Sequence, residues 1–322
     1  MTENKKIQIL LTGANGFIGR HTLRLLVSSG FDVVATDMQS TSLQPNLSRY
    51  VQVDLRERSQ VLKLLHQSRP DLVVNLGAKT DLIGKNLEDY SANFAGIQHL
   101  VDAMEDIPLI HASSRLVFNP HIDEPDDCWD YSPNSYYGES KVKSELIVRN
   151  RPRSIIVRPT SIWGPECGPP FGNFLRLLQK GLYFSAQDRH VIKTLGYVEN
   201  TAFQLKELIE YVLSNNTLID HPLMLGDADV NLHLWAKDIA KAMGTRQPIN
   251  IPYPGLRFAA LVGDVASKFG LPAPINSARL SNIYNSHTYR LDEVFKIVPN
   301  LPWAYHDSIT RTVKGLLDHN VQ

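Results

Sequence analysis

A tyrosine and a lysine stand four residues apart in the segment YYGESK, residues 136 to 141. A free Tyr has a pKa of about 10 and is a weak base at neutral pH unless a nearby cation stabilises its phenolate. If the segment is helical, Tyr137 and Lys141 share one face, and the Lys ammonium group can supply that cation. The pair is a candidate acid/base, although Tyr-x-x-x-Lys also occurs by chance on many helices.

Two serines precede this pair in the segment HASSRLVF. Ser113 and Ser114 follow an apolar run that predicts a strand, so either hydroxyl could hold a substrate oxygen near Tyr137. The alternative is that both hydroxyls only satisfy backbone groups at the strand end. The combination of Ser, Tyr and Lys favours catalysis over that alternative.

A glycine-rich turn lies near the amino terminus, in LLTGANGFIG. Gly13 permits a tight turn, Gly16 lets the backbone approach a pyrophosphate, and Gly19 lets helix and strand pack closely. The following helix would direct its N-terminus at the phosphates. The turn therefore predicts a dinucleotide site. Its further predicted contacts are Asn15, Phe17 and Ile18.

An aspartate ends the second predicted strand, FDVVATD. Asp37 stands where an acidic residue reaches the adenosine ribose hydroxyls, and its charge would repel a 2′-phosphate. The next residue is Met38, not Arg. NAD is therefore predicted in preference to NADP, the alternative role for Asp37 being a helix or turn cap.

Apolar β-branched runs alternate with helical segments through the first half of the chain, which predicts a parallel sheet covered on both faces. The fold class is therefore a doubly wound α/β (Rossmann) fold. Strands are predicted at IQILLTG, FDVVATD, DLVVNLGA, PLIHASS and RSIIVRP, and helices over 17–29, 58–68, 90–105 and 136–150.

The alternation ends near residue 160, where Gly- and Pro-rich segments begin. We expect a dinucleotide-binding domain over 1–165 and a smaller, irregular, mainly substrate-binding region over 166–322. A later strand near 191–200 could join the first domain's sheet. Further helices are predicted over 201–214, 232–243, 256–269 and 306–319.

The composition limits the possible partners and location. Lys plus Arg equals Asp plus Glu at 33 each, which argues against binding to nucleic acid or an anionic membrane. The two cysteines and eleven histidines form no disulfide or metal-ligand pattern. No segment is typical of a signal peptide or membrane span, which predicts a soluble cytoplasmic protein.

A series of motifs in this order resembles the extended short-chain dehydrogenase/reductases of the nucleotide-sugar epimerase and dehydratase group. The matching segments are TGANGFIG, VDL, NLGA, NFAG, SSRLVF, YGESK and VRPTSIWGP. They match the first half densely and the C-terminal half loosely.

The resemblance implies an NAD-dependent enzyme. Ser114 would be the catalytic serine, Tyr137 the acid/base, and Lys141 the residue that binds the nicotinamide ribose and lowers the Tyr137 pKa. The implied cofactor contacts also include Asp54, Leu55, Leu76, Ala78, Asn93 and Pro159. A homodimer formed through helices 90–105 and 136–150 is a further implication, as is a role in surface polysaccharide synthesis.

Two departures from the family pattern bear on the reaction. Gly77 replaces the usual Ala, and SSRLVFNP lacks both the VYG ending of 4-epimerases and the Thr-Asp-Glu of 4,6-dehydratases. Arg115 and Leu116 occupy the two acidic positions and cannot remove water across C5 and C6. A dehydratase is therefore disfavoured, while epimerase and ketoreductase both stay open.

Three residues of the second half resemble substrate contacts of the family. Lys193 and Arg279 are candidates for the nucleotide diphosphate, although each could be an ordinary surface cation. Asn173 is a candidate sugar-nucleotide contact, with an N-cap as its alternative role.

The predicted function is an NAD-dependent oxidoreductase or epimerase that transfers hydride at C4 of a nucleotide sugar. The alternatives are a keto-deoxysugar reductase and a dehydrogenase of a non-sugar alcohol such as a steroid or flavonoid. A non-catalytic NAD-binding protein is disfavoured, because such a protein has no physical need of all three residues Ser114, Tyr137 and Lys141.

Overall fold

The computed structural model describes residues 6–44, 49–119, 124–185, 190–215, 219–269 and 276–319. The strands are β1 (Gln8–Thr12), β2 (Asp32–Asp37), β3 (Tyr50–Gln52), β4 (Leu72–Asn75), β5 (Leu109–Ala112), β6 (Ser154–Pro159), β7 (Ser161–Trp163), β8 (Phe184–Ser185), β9 (Ile192–Tyr197), β10 (Leu223–Leu225), β11 (Ala228–Asn231) and β12 (Ile249–Asn250). The helices are α1 (Phe17–Ser28), α2 (Arg58–Ser68), α3 (Ser91–Ala103), α4 (Tyr136–Val148), α5 (Phe171–Gln179), α6 (Val198–Ser214), α7 (Leu232–Met243), α8 (Tyr253–Lys268), α9 (Ser277–Tyr284), α10 (Asp292–Ile297) and α11 (Tyr305–His319). Short 3₁₀ helices span Glu88–Tyr90 and Arg115–Val117.

A seven-stranded sheet has the order β10-β6-β5-β4-β1-β2-β3. Every neighbouring pair in it is parallel. The order reverses direction on either side of β1, which is the arrangement of a doubly wound sheet. The predicted α/β fold class is confirmed.

Successive residues of the strands point to opposite faces of this sheet, and each face is covered by helices. Ile9 and Leu11 pack in a cluster with side chains of α1, α6 and α10, whereas Leu10, between them, packs with α2, α3 and α4. Because both faces are buried, the central positions of these strands are mostly apolar and show no alternation of apolar and polar residues. This explains the continuous apolar runs of the sequence.

The chain divides into two compact units. Unit 1 comprises Met1–Ile162, Gly196–Asp227 and Tyr289–Pro302, and it contains the seven-stranded sheet. Unit 2 comprises Trp163–Leu195, Ala228–Thr288 and Trp303–Gln322. The chain thus returns twice to unit 1 after its first half, and the role of 166–322 in substrate binding remains a prediction.

The strand expected near 191–200 exists but does not join the main sheet. It is β9, which pairs antiparallel with β11 in a separate three-stranded sheet. The seventh strand of the main sheet is instead β10, which pairs with β6. The three-residue β10 lies in the run HPLMLGD, which is too short to carry a strand pattern.

Unit 2 contains small sheets and helices. Strands β8 and β12 form a parallel pair, and Trp235 of α7 stacks on Phe174 of α5 with ring centroids 4.7 Å apart. Among the described residues, none of the helices is long and apolar enough to cross a membrane.

Candidate active site

The glycine turn after β1 is held by close backbone packing. Gly13 has a φ of +66°, and a Cβ atom on it would lie 2.6 Å from the Gly77 amide nitrogen. A Cβ atom on Gly19 would lie 2.0 Å from the Gly13 carbonyl oxygen. Only glycine satisfies both positions, so the turn brings β1, α1 and the segment after β4 together.

The same turn leaves space on its outer side. Gly16 is exposed, and among the described residues the one close neighbour of a Cβ atom there would be the Gly13 carbonyl oxygen at 3.0 Å. Gly16 is also the N-cap of α1, and no side chain in the described part of the protein caps this helix start. Phe17 and Ile18 begin α1. The open glycine and uncapped helix N-terminus fit the pyrophosphate of a dinucleotide.

Asp37 ends β2 beside this turn, as predicted. Its Oδ2 accepts a hydrogen bond from the Asn15 backbone N–H at 3.1 Å, and its Oδ1 accepts one from the Gln39 N–H at 3.4 Å. The Asn15 side chain turns away from Asp37 and donates to the Thr41 carbonyl and the Tyr50 hydroxyl. Asn15 therefore has a structural role, holding the loop after β2, in addition to its predicted cofactor contact.

Asp54 follows β3 and is engaged by a neighbouring guanidinium group. Arg56 Nη2 lies 2.6 Å from Asp54 Oδ2, and this hydrogen bond holds the Asp54 pKa below its usual value. If the Asp54 carboxylate contacts the adenine of a cofactor, it would do so while still paired with Arg56. Leu55 is partly buried against the core cluster beneath the sheet.

The segment after β4 explains the glycine at position 77. A Cβ atom on Gly77 would lie 3.1 Å from both the Leu55 Cδ1 and the Thr12 Oγ1 atoms. The Thr12 hydroxyl also accepts a hydrogen bond from the Gly77 N–H at 3.1 Å. The replacement of Ala by Gly thus matches tight local packing. Leu76 and Ala78, on either side, are partly buried.

Asn93 of α3 links three segments through its buried amide. Its Oδ1 accepts from the Lys79 N–H at 2.7 Å, and its Nδ2 donates to the Lys79 carbonyl and to the Ser140 hydroxyl, each at 2.9 Å. It therefore fixes the segment after β4 against α4. Its predicted cofactor contact remains a prediction.

Tyr137 and Ser114 meet at the carboxyl end of β5. Tyr137 is buried in the first turn of α4, and an interaction with the Ser114 side chain lowers the pKa of its hydroxyl. Gly138 makes this approach possible, because a Cβ atom there would lie 2.3 Å from the Leu116 carbonyl oxygen. Ser114 also caps the 3₁₀ helix by accepting from the Leu116 N–H at 3.1 Å.

Lys141 lies one turn further along α4 and is 2% exposed. Its Nζ donates to the Ala112 carbonyl oxygen at 2.8 Å, at the end of β5. Burial lowers the pKa of Lys141 to about 8, and the nearby Glu145 carboxylate opposes that change. The ammonium form is thus retained only up to mildly alkaline pH.

Burial raises the pKa of Tyr137 to about 12. The Ser114 hydrogen bond and the Arg115 charge lower this pKa, but by less than burial raises it. The Arg115 charge thus acts on Tyr137, a role that the sequence pattern did not single out. The predicted effect of Lys141 on Tyr137 stays a prediction, and the Lys141 ammonium group also donates to the Ala112 carbonyl.

The other serine of the pair has a different environment. Ser113 Oγ is buried and has no hydrogen-bond partner among the described residues, although its backbone N–H donates to the Val157 carbonyl at 2.7 Å. A buried hydroxyl without a partner is unfavourable, and a bound ligand can supply one. Pro159, at the end of β6, lies at the same sheet edge.

A buried polar chain behind the site was not predicted. The Thr12 hydroxyl donates to Asn75 Oδ1 at 2.5 Å, and Asn75 Nδ2 contacts His111 Nδ1 at 3.0 Å. His111 Nε2 contacts the Ser144 hydroxyl at 2.9 Å, and Ser144 donates to the Lys141 carbonyl. Since an amide NH₂ only donates, His111 Nδ1 must accept and Nε2 must carry the hydrogen. Burial lowers the His111 pKa, which favours this neutral form.

This series of hydrogen bonds runs from β1, just before the glycine turn, through β4 and β5 to helix α4. In the sequence, these hydrogen bonds are indicated by the polar residues Asn75 and His111, which stand within otherwise apolar strands. Their register, Asn75 opposite His111 on neighbouring strands, is set by the sheet.

The three substrate candidates lie in different elements of unit 2. Asn173 is in the first turn of α5, where its Oδ1 accepts from Arg176, while the N-cap of that helix is Pro170. Lys193 is in β9, in a bridge with His287. Arg279 is in α9, and its side chain lies outside the described residues. All three stay predictions.

Comparison with known proteins finds relatives over most of the chain. The chain is 24% identical to an N-acetyl-alpha-D-glucosaminyl-diphospho-ditrans,octacis-undecaprenol 4-epimerase of Escherichia coli O157:H7, covering 95% of this chain and 94% of the relative. It is also 29% identical to a dTDP-4-dehydrorhamnose reductase of Aggregatibacter actinomycetemcomitans, over 54% of this chain and 57% of the relative.

Solved structures share the fold at low identity. The UDP-glucose 4-epimerase of Thermotoga maritima superposes with a TM-score of 0.74 at 15% identity, covering 98% of this chain and 100% of that one. The Thermus thermophilus UDP-glucose 4-epimerase in complex with NAD gives 0.70 at 18% identity, covering 97% and 99%.

A family model matches residues 9–180, more than half of the chain and the whole span from the glycine turn to α5. The matched span includes Ser114, Tyr137 and Lys141. The protein is thus an NAD-dependent enzyme of the extended short-chain dehydrogenase/reductase type, and the chain belongs to the NAD dependent epimerase/dehydratase family.

Proposed function

We propose that this enzyme epimerises, at C4, a sugar joined through a diphosphate to a carrier. The observation that carries the proposal is the group formed by Ser114, Tyr137 and Lys141 at the carboxyl edge of the sheet, where the glycine turn also lies. Ligands of doubly wound sheets bind at this edge. The proposed cofactor is NAD, which would supply the hydride acceptor and, in the return step, the hydride donor.

The residues would act as follows. Tyr137, as the phenolate, removes the proton of the C4 hydroxyl while the C4 hydrogen leaves as hydride, and it returns the proton when hydride adds to the other face. Ser114 donates a hydrogen bond to the same sugar oxygen. With a ligand-free pKa of about 12, Tyr137 needs cationic help, of which Arg115 supplies a part and Lys141, in this proposal, supplies the rest.

The names of the relatives support C4 as the reacting carbon. The relative that covers 95% of the chain is a 4-epimerase of a sugar carried on undecaprenol diphosphate. Two nucleotide-sugar relatives, the dTDP-4-dehydrorhamnose reductase and a UDP-glucose 4-epimerase of Arabidopsis thaliana, cover 54% and 45% of the chain. We therefore favour a polyprenol carrier, with a nucleotide carrier as the water-soluble alternative.

A second candidate is reduction of a keto-deoxysugar. It is favoured by the SSRLVF segment, in which Phe118 replaces the Tyr of the 4-epimerase pattern, and by the likeness to a dTDP-4-dehydrorhamnose reductase. A reductase would oxidise added NADH or NADPH in proportion to product, whereas an epimerase returns the hydride and leaves no net change.

The test is to incubate the purified enzyme with polyprenyl-diphosphate N-acetylglucosamine and, separately, with the UDP-linked sugar, and to separate the C4 epimers by chromatography. Tyr137→Phe should lower the rate by about 10²- to 10⁴-fold, because it removes the general acid/base. The matched control is Tyr136→Phe, on the neighbouring, 43% exposed residue, which should keep the wild-type rate. Equal rates for both variants would contradict the proposal.

Cofactor preference is tested at Asp37. The double variant Asp37→Ala with Met38→Arg removes the charge that repels a 2′-phosphate and adds one that attracts it. We expect the Kd ratio of NADP to NAD, measured by fluorescence titration, to fall by about tenfold or more. A wild-type enzyme that already binds NADP more tightly would contradict the NAD assignment.

A further inference from the structure

Helix α8 of unit 2 has two apolar sides. One side is buried: Leu256 and Ala260 pack against Leu280 of α9. The opposite side carries four large apolar side chains, and a fifth follows the last residue of the helix; the five are 53% to 78% exposed. We call these residues the apolar stripe: Phe258, Leu261, Val262, Val265 and Phe269.

The spacing of the apolar stripe follows the helix. Positions 261 and 262 each lie three or four residues from 258 and from 265, and 269 lies four residues after 265, which is the spacing of one helix side. Scattered exposed apolar side chains are ordinary, but a continuous line of five marks an interaction surface. The exposed Arg257 lies beside the stripe.

The charge distribution indicates the kind of partner. The whole chain is balanced, but unit 2 contains twelve Lys and Arg residues against seven Asp and Glu residues, a formal charge of +5. Unit 1 carries the opposite excess. An apolar helix face on a positively charged unit is complementary to the surface of an anionic bilayer.

The length of α8 determines how it could meet a bilayer. It has 16 residues, fewer than the roughly 20 that span the hydrocarbon core, and its other side is already buried in unit 2. The helix would therefore lie in the plane of the interface with only the apolar stripe in contact with acyl chains.

We propose that the apolar stripe of α8 docks unit 2 on an anionic membrane surface. This inference rests on the proposed function, because a polyprenol-linked sugar is held in a membrane and its enzyme gains from residing there. It replaces the expectation, drawn from the balanced charge of the whole chain, that no membrane is a partner.

The test uses the full chain in vesicle flotation, with vesicles of phosphatidylcholine alone or with about 30% phosphatidylglycerol. We expect the wild-type chain to float with the anionic vesicles. Val262→Glu with Val265→Glu should reduce the floated fraction by about tenfold, since each carboxylate opposes insertion. The matched control is Leu234→Glu with Leu317→Glu, on exposed leucines of α7 and α11 in the same unit.

Thermal unfolding and NAD binding of all variants should equal those of the wild type, because the substituted side chains are exposed. A wild-type chain that stays with the unbound fraction overturns the proposal, as does equal flotation of both double variants. If the α8 variant instead converts a dimer to a monomer without changing flotation, the stripe binds a second copy and the proposal is also overturned.

Flotation requires no turnover, so its result is independent of the proposed reaction. Flotation without epimerisation of a lipid-linked sugar would leave the docking surface standing and remove the proposed function. If a chain that does not float epimerises that sugar in detergent, the proposed function would stand and the docking surface would be overturned.

Discussion

At the scale of single residues, the site is governed by burial. Tyr137 and Lys141 lie one helical turn apart, and burial shifts the pKa of each toward its neutral form. A neutral tyrosine is a poor base and a neutral lysine offers no charge to a phenolate. The two groups therefore work together only over a limited range of pH.

We expect kcat/KM to fall above about pH 8, where Lys141 loses its proton. The profile should be measured from pH 6 to pH 10 with the epimer assay. Lys141→Arg retains a cation throughout this range, so the variant, although slower, should lack the fall near pH 8. A fall that persists unchanged in the Lys141→Arg variant would show that another group is responsible.

Asp227, just after β10, is a second buried residue, and its ionisation should change the free energy of unfolding with pH. Its Oδ2 accepts from the Tyr197 N–H at 3.1 Å and from Asn200 Nδ2 at 2.8 Å, while its Oδ1 is buried without a partner among the described residues. Burial raises its pKa to about 7.

An unfolded Asp ionises near pH 3.8, whereas the folded Asp227 stays protonated to about pH 7. The folded state is therefore disfavoured progressively as pH rises through this window, by at most about 4 kcal/mol. Asp227→Asn can keep both accepted hydrogen bonds and cannot ionise. Its free energy of unfolding, relative to wild type, should rise between pH 4 and pH 8 in urea titrations. A difference that does not change with pH would contradict the assignment.

At the scale of elements, helix α4 is fixed by contacts on several sides. Ser140 bonds Asn93 of α3, Ser144 bonds His111 of β5, and Glu145 forms a buried ion pair with Arg158 of β6. These contacts hold the helix in the register that presents Tyr137 to Ser114. The geometry of the candidate active site thus depends on α4 and its neighbours together.

The Glu145–Arg158 pair is bidentate, with distances of 2.8 Å and 2.6 Å, and both side chains are buried. Glu145→Ala leaves the Arg158 guanidinium buried without its partner, which should lower the free energy of unfolding by about 3 to 5 kcal/mol. The control is Asp32→Ala, which breaks the exposed pair with Arg49 and should lower it by about 1 kcal/mol or less. Chemical denaturation at pH 7 measures both, and equal losses would argue against the role of burial.

At the scale of the whole molecule, the family resemblance implies a dimer formed by α3 and α4. These helices pack on each other, and Leu146 of α4 is 53% exposed. We expect the wild type to sediment as a dimer and Leu146→Glu to raise the dimer Kd by about tenfold or more. Leu62→Glu, on an exposed residue of α2, is the control. A monomer whose sedimentation does not depend on concentration would remove this prediction.

The distribution of charge and exposed apolar residues also becomes visible at this scale. The composition of the whole chain is neutral, and only the division into two units reveals that the positive excess and the apolar stripe belong to the same unit. Averages over a chain conceal such segregation because they carry no positions. The fold decides which charges are collected together.

The sequence by itself determined the α/β class, the glycine turn, the acid at Asp37 and the Ser, Tyr and Lys group. Each of these follows from a local pattern in the sequence: apolar runs, glycines at fixed offsets, or residues one helical turn apart. Helices α2 and α7 begin and end where the pattern predicts.

The packing of distant segments made β10 rather than β9 complete the main sheet, and it brought Lys141 Nζ to the Ala112 carbonyl and the Arg115 charge close to Tyr137. It also created the polar chain from Thr12 to Ser144. The physical reason is that strand partners, burial and hydrogen bonds join residues far apart in sequence. Their pairing depends on how the sheet and helices pack, which local spacing does not encode.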